Sequence, residues 1–352
     1  MKRGLLILIA LTALAAACAA GGWYWLNDYA RTPMQHQSDY ALTVEPGQTL
    51  GAILEVLAAD NVIAHPRAVR WHARLADRGN QIQAGRYTLT PGLTPSGLLD
   101  QLRDGAVDLV RVQFIEGWTA AQAVEAVIQH SDIANDLDIA IEHRADGVAF
   151  LSETASDALI SALDLEVDNI EGWLYPDTYQ FAPGTKASEL LRLAHQKMQR
   201  ELDAAWLGRR VRDTLPDKRA MLTLASIVEK ETSRDDERAE IAGVFDRRLV
   251  RSMRLQTDPT VIYGVGIRYD GDIRRRDLTD DNRYNTYRID GLPPTPIALA
   301  GRASLDAVAN PSDGSALFFV ASGDSDGRHV FTDSVEAHER AVQQYLKKIR
   351  NQ

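Results

Sequence analysis

The stretch Leu222 to Thr232 reads Leu-Thr-Leu-Ala-Ser-Ile-Val-Glu-Lys-Glu-Thr and holds two carboxylates on either side of a lysine. On a helix turning about 100° per residue, Leu224, Ile227 and Val228 share one side. Glu231 falls inside that apolar arc, Glu229 lies near its margin, and Lys230 faces away. A carboxylate on an apolar face is costly to ionise, so its pKa rises. A general acid working near neutral pH needs that property. The bland alternative is a Glu231 neutralised by an arginine, for example Arg234 or Arg238. Ser233-Arg234-Asp235-Asp236 has the form of a capping box opening a further helix with Ile241, Val244, Phe245 and Leu249 on its apolar face. Glu231 is therefore expected where one helix hands over to another.

Two more clusters are rich in polar groups. Leu255-Gln256-Thr257-Asp258-Pro259-Thr260-Val261-Ile262-Tyr263-Gly264 predicts a turn with a helix starting after it. Tyr284-Asn285-Thr286-Tyr287 is followed by Gly291-Leu292-Pro293-Pro294-Thr295-Pro296-Ile297. Amides, hydroxyls and rings suit sugars, which present hydroxyl edges and CH faces, although each cluster alone is more often structural. The single cysteine, Cys18, excludes a disulfide within the chain and a cysteine zinc site. No HExxH or comparable pair occurs, so neither a metal nor a cofactor is expected. The net charge of −10 argues against a sequence-independent grip on nucleic acid.

The elements that must position these groups follow from 352 residues of ordinary globular composition, 45% hydrophobic and 25% charged, which suggests two domains. Gly4 to Leu26 carries no charge, follows Lys2-Arg3 and precedes Asp28. That is long enough to span a bilayer, with the N-terminus inside and the rest outside. Trp23 and Trp25 suit an interfacial belt. A cleaved signal at Ala15-Ala16-Ala17, or a lipid on Cys18, is the rival. We expect an anchor over residues 1–27 and a polar tether over 28–40. Residues 41–106 should form a small βααβ unit: strand 41–44, the turn Glu45-Pro46-Gly47-Gln48, helices 49–57 and 66–76, strand 85–90 and a helix 95–103. Its pattern resembles a LysM-like glycan-binding module. A larger mixed domain over 107–352 should hold helices at 120–129, 187–207, 218–231 and 334–349, the last with Val335, His338, Val342, Tyr345 and Leu346 on one face. Strands are expected at 110–114, 317–320 and 329–331. No regular βαβ alternation appears, so the fold class is α+β.

Taken together, the Ala225–Thr232, Leu255–Gly264, Tyr284–Tyr287 and Gly291–Pro294 elements, with Glu171-Gly172-Trp173-Leu174-Tyr175-Pro176-Asp177-Thr178-Tyr179, stand in the order of the YceG-like endolytic murein transglycosylases. The chain is similar to that family over nearly its whole length, with Thr295 where the family usually has Gly and Ala300 where it usually has Pro. The resemblance implies a catalytic Glu at the second position of Glu-Lys-Glu, here Glu231. It implies cleavage of the β-1,4 bond between N-acetylmuramic acid and N-acetylglucosamine, giving a 1,6-anhydro end without water or cofactor. Gln256, Asp258, Tyr263, Asn285 and Glu229 are the candidate substrate-binding residues. The implied setting is the periplasmic face of the inner membrane, beside peptidoglycan synthases, on nascent glycan strands. A non-catalytic peptidoglycan-binding scaffold is the alternative. A pyridoxal-phosphate lyase would need a Schiff-base lysine and a phosphate cup, and only Lys230 stands in the main motif.

Overall fold

In the computed structural model, residues 2–45, 47–76, 82–105 and 108–350 are described. Pro46 of the expected turn and the expected domain boundary at residues 106 and 107 lie outside them. The chain divides into two compact units: Met1–Val110 with Gln180–Gly184, and Arg111–Tyr179 with Thr185–Gln352.

In the first unit, α1 (Lys2–Arg31) contains a segment, Ile7–Arg31, long and apolar enough to cross a membrane. The strand β1 (Tyr40–Val44) pairs antiparallel with β2 (Gly85–Leu89), Tyr40 opposite Leu89. Between them run α2 (Leu50–Ala59) and α3 (Pro66–Leu75), and α4 (Pro95–Asp104) follows β2. The alternation of the strands sends Leu42, Val44, Tyr87 and Leu89 inward. There they meet Ile53, Leu54 and Leu57 of α2, Val69 of α3 and Leu98, Leu99 and Leu102 of α4. Thr49 and Thr94 accept from the backbone of Ala52 and Gly97, capping α2 and α4. Gly105 ends α4 in the left-handed conformation at φ 66°.

Asp28 to Arg31 continue α1, Ala30 is buried, and Met34 enters the core. The Met34 N–H donates to the Leu93 carbonyl at 2.9 Å and the Gln35 N–H to that of Val62 at 3.0 Å. The Tyr29 hydroxyl accepts from the His65 N–H at 3.0 Å. Tyr29, Ala30 and Met34 thus hold part of a polar stretch without periodicity against the unit.

The remaining elements are β3 (Val110–Gln113), α5 (Ala120–Ile128), β4 (Glu142–His143), β5 (Ala149–Phe150), α6 (Glu153–Leu163), β6 (Thr178–Phe181), α7 (Ala187–Leu207), α8 (Lys218–Glu231), α9 (Asp235–Val250), α10 (Asp258–Val265), α11 (Arg275–Thr279), α12 (Arg302–Ala309), β7 (Phe318–Ala321), β8 (His329–Thr332) and α13 (Val335–Arg350), all in the second unit but for Val110 and Gln180–Phe181. The strands pair as β3 with β6, β4 with β5 and β7 with β8. The mixed α+β class is as expected. At the centre stands α8, whose residues from Met221 to Val228 are all buried. It packs among Met198, Leu202 and Ala205 of α7, Ile241, Ala242 and Phe245 of α9, and Leu305 and Val308 of α12.

Two local expectations are corrected. No capping box at Ser233 opens α9: Arg234 is the N-cap residue and makes no side-chain cap bond, while Thr232 accepts the Arg234 N–H at 3.0 Å. On α13 the expected face holds for half-buried His338, Val342, Tyr345 and Leu346, with Ala341 buried beside them, but Val335 is exposed.

Candidate active site

Glu231 is the last residue of α8, and Thr232 turns the chain out in an extended conformation. The Thr257 hydroxyl, at the start of α10, donates to Glu231 Oε1. Thr257 is itself held from behind. Its N–H donates to Thr286 Oγ1 at 3.0 Å, and the Thr286 and Thr260 hydroxyls lie 2.8 Å apart. The Gln256 N–H donates to the Thr286 carbonyl at 3.2 Å, with Gln256 in the left-handed region at φ 48°. The three clusters singled out in the sequence thus meet at one carboxyl group. Loss of water pushes the Glu231 pKa up to about 7. The Thr257 hydrogen bond pulls it down, the charge of Asp258 adds to the rise, and His329 and Arg248 oppose it.

Asp258 and Gln256 are exposed beside this carboxyl, and the Tyr287 hydroxyl donates to Asp258 Oδ1 at 2.7 Å. Asn285 stands differently. It is buried, and its amide donates to the carbonyls of Asp277, Leu278 and Asp280 at 3.1, 3.2 and 2.8 Å. Its Oδ1 accepts the Tyr287 N–H at 3.0 Å. The side chain ties a loop together, and that is the position the structure gives it. Thr295 is buried, with its hydroxyl 2.9 Å from that of Tyr284.

Glu229 is corrected from the margin of the arc to the interior. Its side chain is 4% exposed and that of Arg238 is 6%. Arg238 Nη2 donates to Oε1 at 3.2 Å, and the N–H of Gly301, which precedes α12, donates to Oε2 at 2.9 Å. Arg238 therefore serves Glu229 and not Glu231, and Arg234 pairs with Asp236 at 2.9 Å. Lys230 donates to the Gly117 carbonyl at 3.2 Å.

A second desolvated acid, Glu171, opens the Glu171–Tyr179 motif and is not among the site residues the sequence singles out. It accepts from the N–H groups of Ala120 at 2.9 Å and Gly172 at 3.2 Å, and from the Tyr263 hydroxyl at 3.3 Å. Burial pushes its pKa up to about 7 against the pull of those donors. Glu171 and Tyr263 line a cavity of ≈ 310 Å³ with Phe150, Asn282 and Tyr284. The burial of Tyr263 and the charge of Glu171 raise the phenol pKa well above its ordinary value. So α10 serves both acids: its first turn reaches Glu231 and Tyr263 reaches Glu171. The sequence signal that could have found Glu171 is an acid directly before a glycine that needs φ 80°, amid the aromatics Trp173 and Tyr175.

Among known proteins, a protein of Bacillus subtilis (strain 168) named endolytic murein transglycosylase is 28% identical over 87% of this chain and 84% of its own length. A protein of Streptococcus pneumoniae with the same name is 25% identical over 96% of this chain, which spans 64% of that protein. The crystal structure of a YceG-like protein from Listeria monocytogenes superposes with a TM-score of 0.51 at 24% identity, covering 86% of this chain and 98% of that one. Residues 42–344 match the YceG-like family, so the match takes in Glu231, Thr257, Thr286 and Glu171 alike, and the chain belongs to that family.

Proposed function

We propose that this chain is a lytic transglycosylase of peptidoglycan, with Glu231 as its single acid–base group. The observation that carries the reading is the Glu231 carboxyl, desolvated to a pKa of about 7 at the end of a buried helix and hydrogen-bonded by the Thr257 hydroxyl. The shared name of the relatives supplies the substrate. Protonated Glu231 gives its proton to the glycosidic oxygen as the bond from C1 of N-acetylmuramic acid to O4 of N-acetylglucosamine breaks. The carboxylate then takes the proton of the same muramic residue's 6-hydroxyl as O6 bonds to C1. The acid is regenerated, a 1,6-anhydro end forms, and no water is consumed. A glycosidase with two carboxylates would instead deliver water to C1. Gln256 and Asp258 lie exposed beside Glu231 and would hold the sugar, with Tyr263 acting from the neighbouring cavity.

The setting follows from α1. It would anchor the chain in the inner membrane, with the rest in the periplasm beside peptidoglycan synthases. The βααβ unit would serve as a LysM-like glycan-holding domain and the second unit as the catalytic domain. The test is digestion of polymeric peptidoglycan in oxygen-18 water by the wild type and by Glu231→Gln. We expect anhydro ends without solvent oxygen from the wild type and none from the variant. Labelled reducing ends would overturn the non-hydrolytic reading, and an active Glu231→Gln would overturn the choice of residue.

A further inference from the structure

The helix α3 reads Pro-Arg-Ala-Val-Arg-Trp-His-Ala-Arg-Leu, with three arginines and no acid. One side of it, Ala68, Val69 and Ala73, is buried in the unit's core. On the other side Trp71 is 56% and Leu75 64% exposed, beside exposed Arg67, Arg70 and Arg74. The Arg74 guanidinium lies 5.6 Å from the centre of the Trp71 ring. A tryptophan and a leucine in water on a basic helix would be an unfavourable surface for a soluble module.

The neighbour of that face is α1. Trp25 lies 5.7 Å and Tyr29 5.2 Å from the His65 ring, at the start of α3. From there an open cleft of ≈ 700 Å³ runs between Ala19, Gly22, Trp23 and Leu26 of α1 and Ala68, Trp71 and Leu75 of α3. Trp23 is 62% and Trp25 50% exposed. The uncharged run from Gly4 to Leu26 is 23 residues. At 1.5 Å per residue that is roughly 34 Å, little more than the ~30 Å hydrocarbon layer. If α1 spans, residues 19–26 form the outer end of the span, at the depth of the acyl–headgroup boundary. Whatever lines a cleft with them lies at that depth too.

Resting on the anchor reading above, we propose that α3 is a second membrane-contacting element. Its Trp71 and Leu75 face sits in the outer boundary of the bilayer and fills the cleft with lipid. Arg67, Arg70 and Arg74 reach anionic headgroups, as basic residues at such boundaries do. The occupant is lipid because the face is continuous with the lipid-facing side of α1 and carries only positive charge.

The test uses the full chain with Cys18→Ser in vesicles of phosphatidylcholine and phosphatidylglycerol. Single nitroxide labels are placed through Ile9→Cys or Leu75→Cys, and collisions with oxygen are compared with those of a water-soluble nickel chelate. Both labels are expected to favour oxygen. In vesicles of phosphatidylcholine alone, and with Arg67→Glu, Arg70→Glu and Arg74→Glu together, the Leu75 label should shift toward the nickel chelate while the Ile9 label stays. The lipid exchange needs no altered protein, so misfolding of the triple variant cannot decide the result. A Leu75 label that favours nickel in the mixed vesicles while the Ile9 label favours oxygen overturns the docking and spares the anchor. An Ile9 label that favours nickel removes the anchor and the proposal with it. Spin coupling between Leu75 labels of two chains would show the face covered by a second copy and overturn it as well.

Discussion

Glu229 and Glu231 are two residues apart, yet they end in opposite circumstances. Glu229 has a guanidinium and a helix N–H, and Glu231 has one hydroxyl. An acid that must gain and lose a proton near pH 7 is served by the second environment and disabled by the first. Glu229→Gln leaves Arg238 buried with exposed Asp235 as its ion-pair partner. It should cost about 3 kcal/mol in urea unfolding, and loss of turnover with unchanged stability would contradict this. In the proposed mechanism turnover needs Glu231 protonated at the first step. The acid form is present below its pKa and lost above it, so kcat/KM should fall as pH rises through about 7. The Thr257 hydroxyl favours the ionised form, and Thr257 makes no side-chain cap bond to α10. Thr257→Val should therefore move the alkaline limb of the pH–rate profile upward and leave the melting temperature near that of the wild type. A limb that moves down would refute the assignment of that hydrogen bond.

At the scale of elements, helical periodicity points to Glu231 as it does on a half-buried helix, and it sets Glu229 at a margin only if α8 has a solvent side. In fact α8 is enclosed from Met221 to Val228, so periodicity along it carries little information about which side is wet. The same limit hid α12, eight residues of which Leu305, Ala307, Val308 and Ala309 are all buried. Ends of elements with their own chemistry were legible: α7 and α8 were expected at the residues where they begin and end, and Pro259 in the first turn of α10 marked its start. Glu171 was not, because it lies in a loop without a period to test. Its neighbour Gly172 gives that loop a measurable weakness. It holds φ 80°, and a Cβ there would stand 2.4 Å from Pro296 Cβ. Gly172→Ala adds backbone strain to the collision with a rigid ring and should lower stability by roughly 2 kcal/mol or more. An unchanged thermal melt would mean that the proline loop yields freely.

Over the whole molecule, two desolvated acids make stability depend on pH in an unusual direction. Glu171 and Glu231 rise from 4.5 to about 7 on folding, so the folded chain binds more protons between those values and grows less stable as pH climbs through them. Fully buried Glu171 alone accounts for roughly 3 kcal/mol. Glu171→Gln should remove that part of the slope, so the wild type loses ground to the variant between pH 4.5 and 7.5 in denaturant unfolding, and parallel curves would contradict it. The way the chain leaves α1 has a consequence of another kind. The backbone passes from α1 into the βααβ unit with Met34 and Gln35 hydrogen-bonded to Leu93 and Val62. A protein swinging on a loose cord samples a volume set by the cord's length. One fixed to its span keeps only sliding and spinning in the plane of the bilayer. With α1 in the bilayer and glycan as substrate, as proposed above, its meetings with glycan become a two-dimensional search, governed by copies per unit area of membrane, and the height at which the unit works is set by the fold.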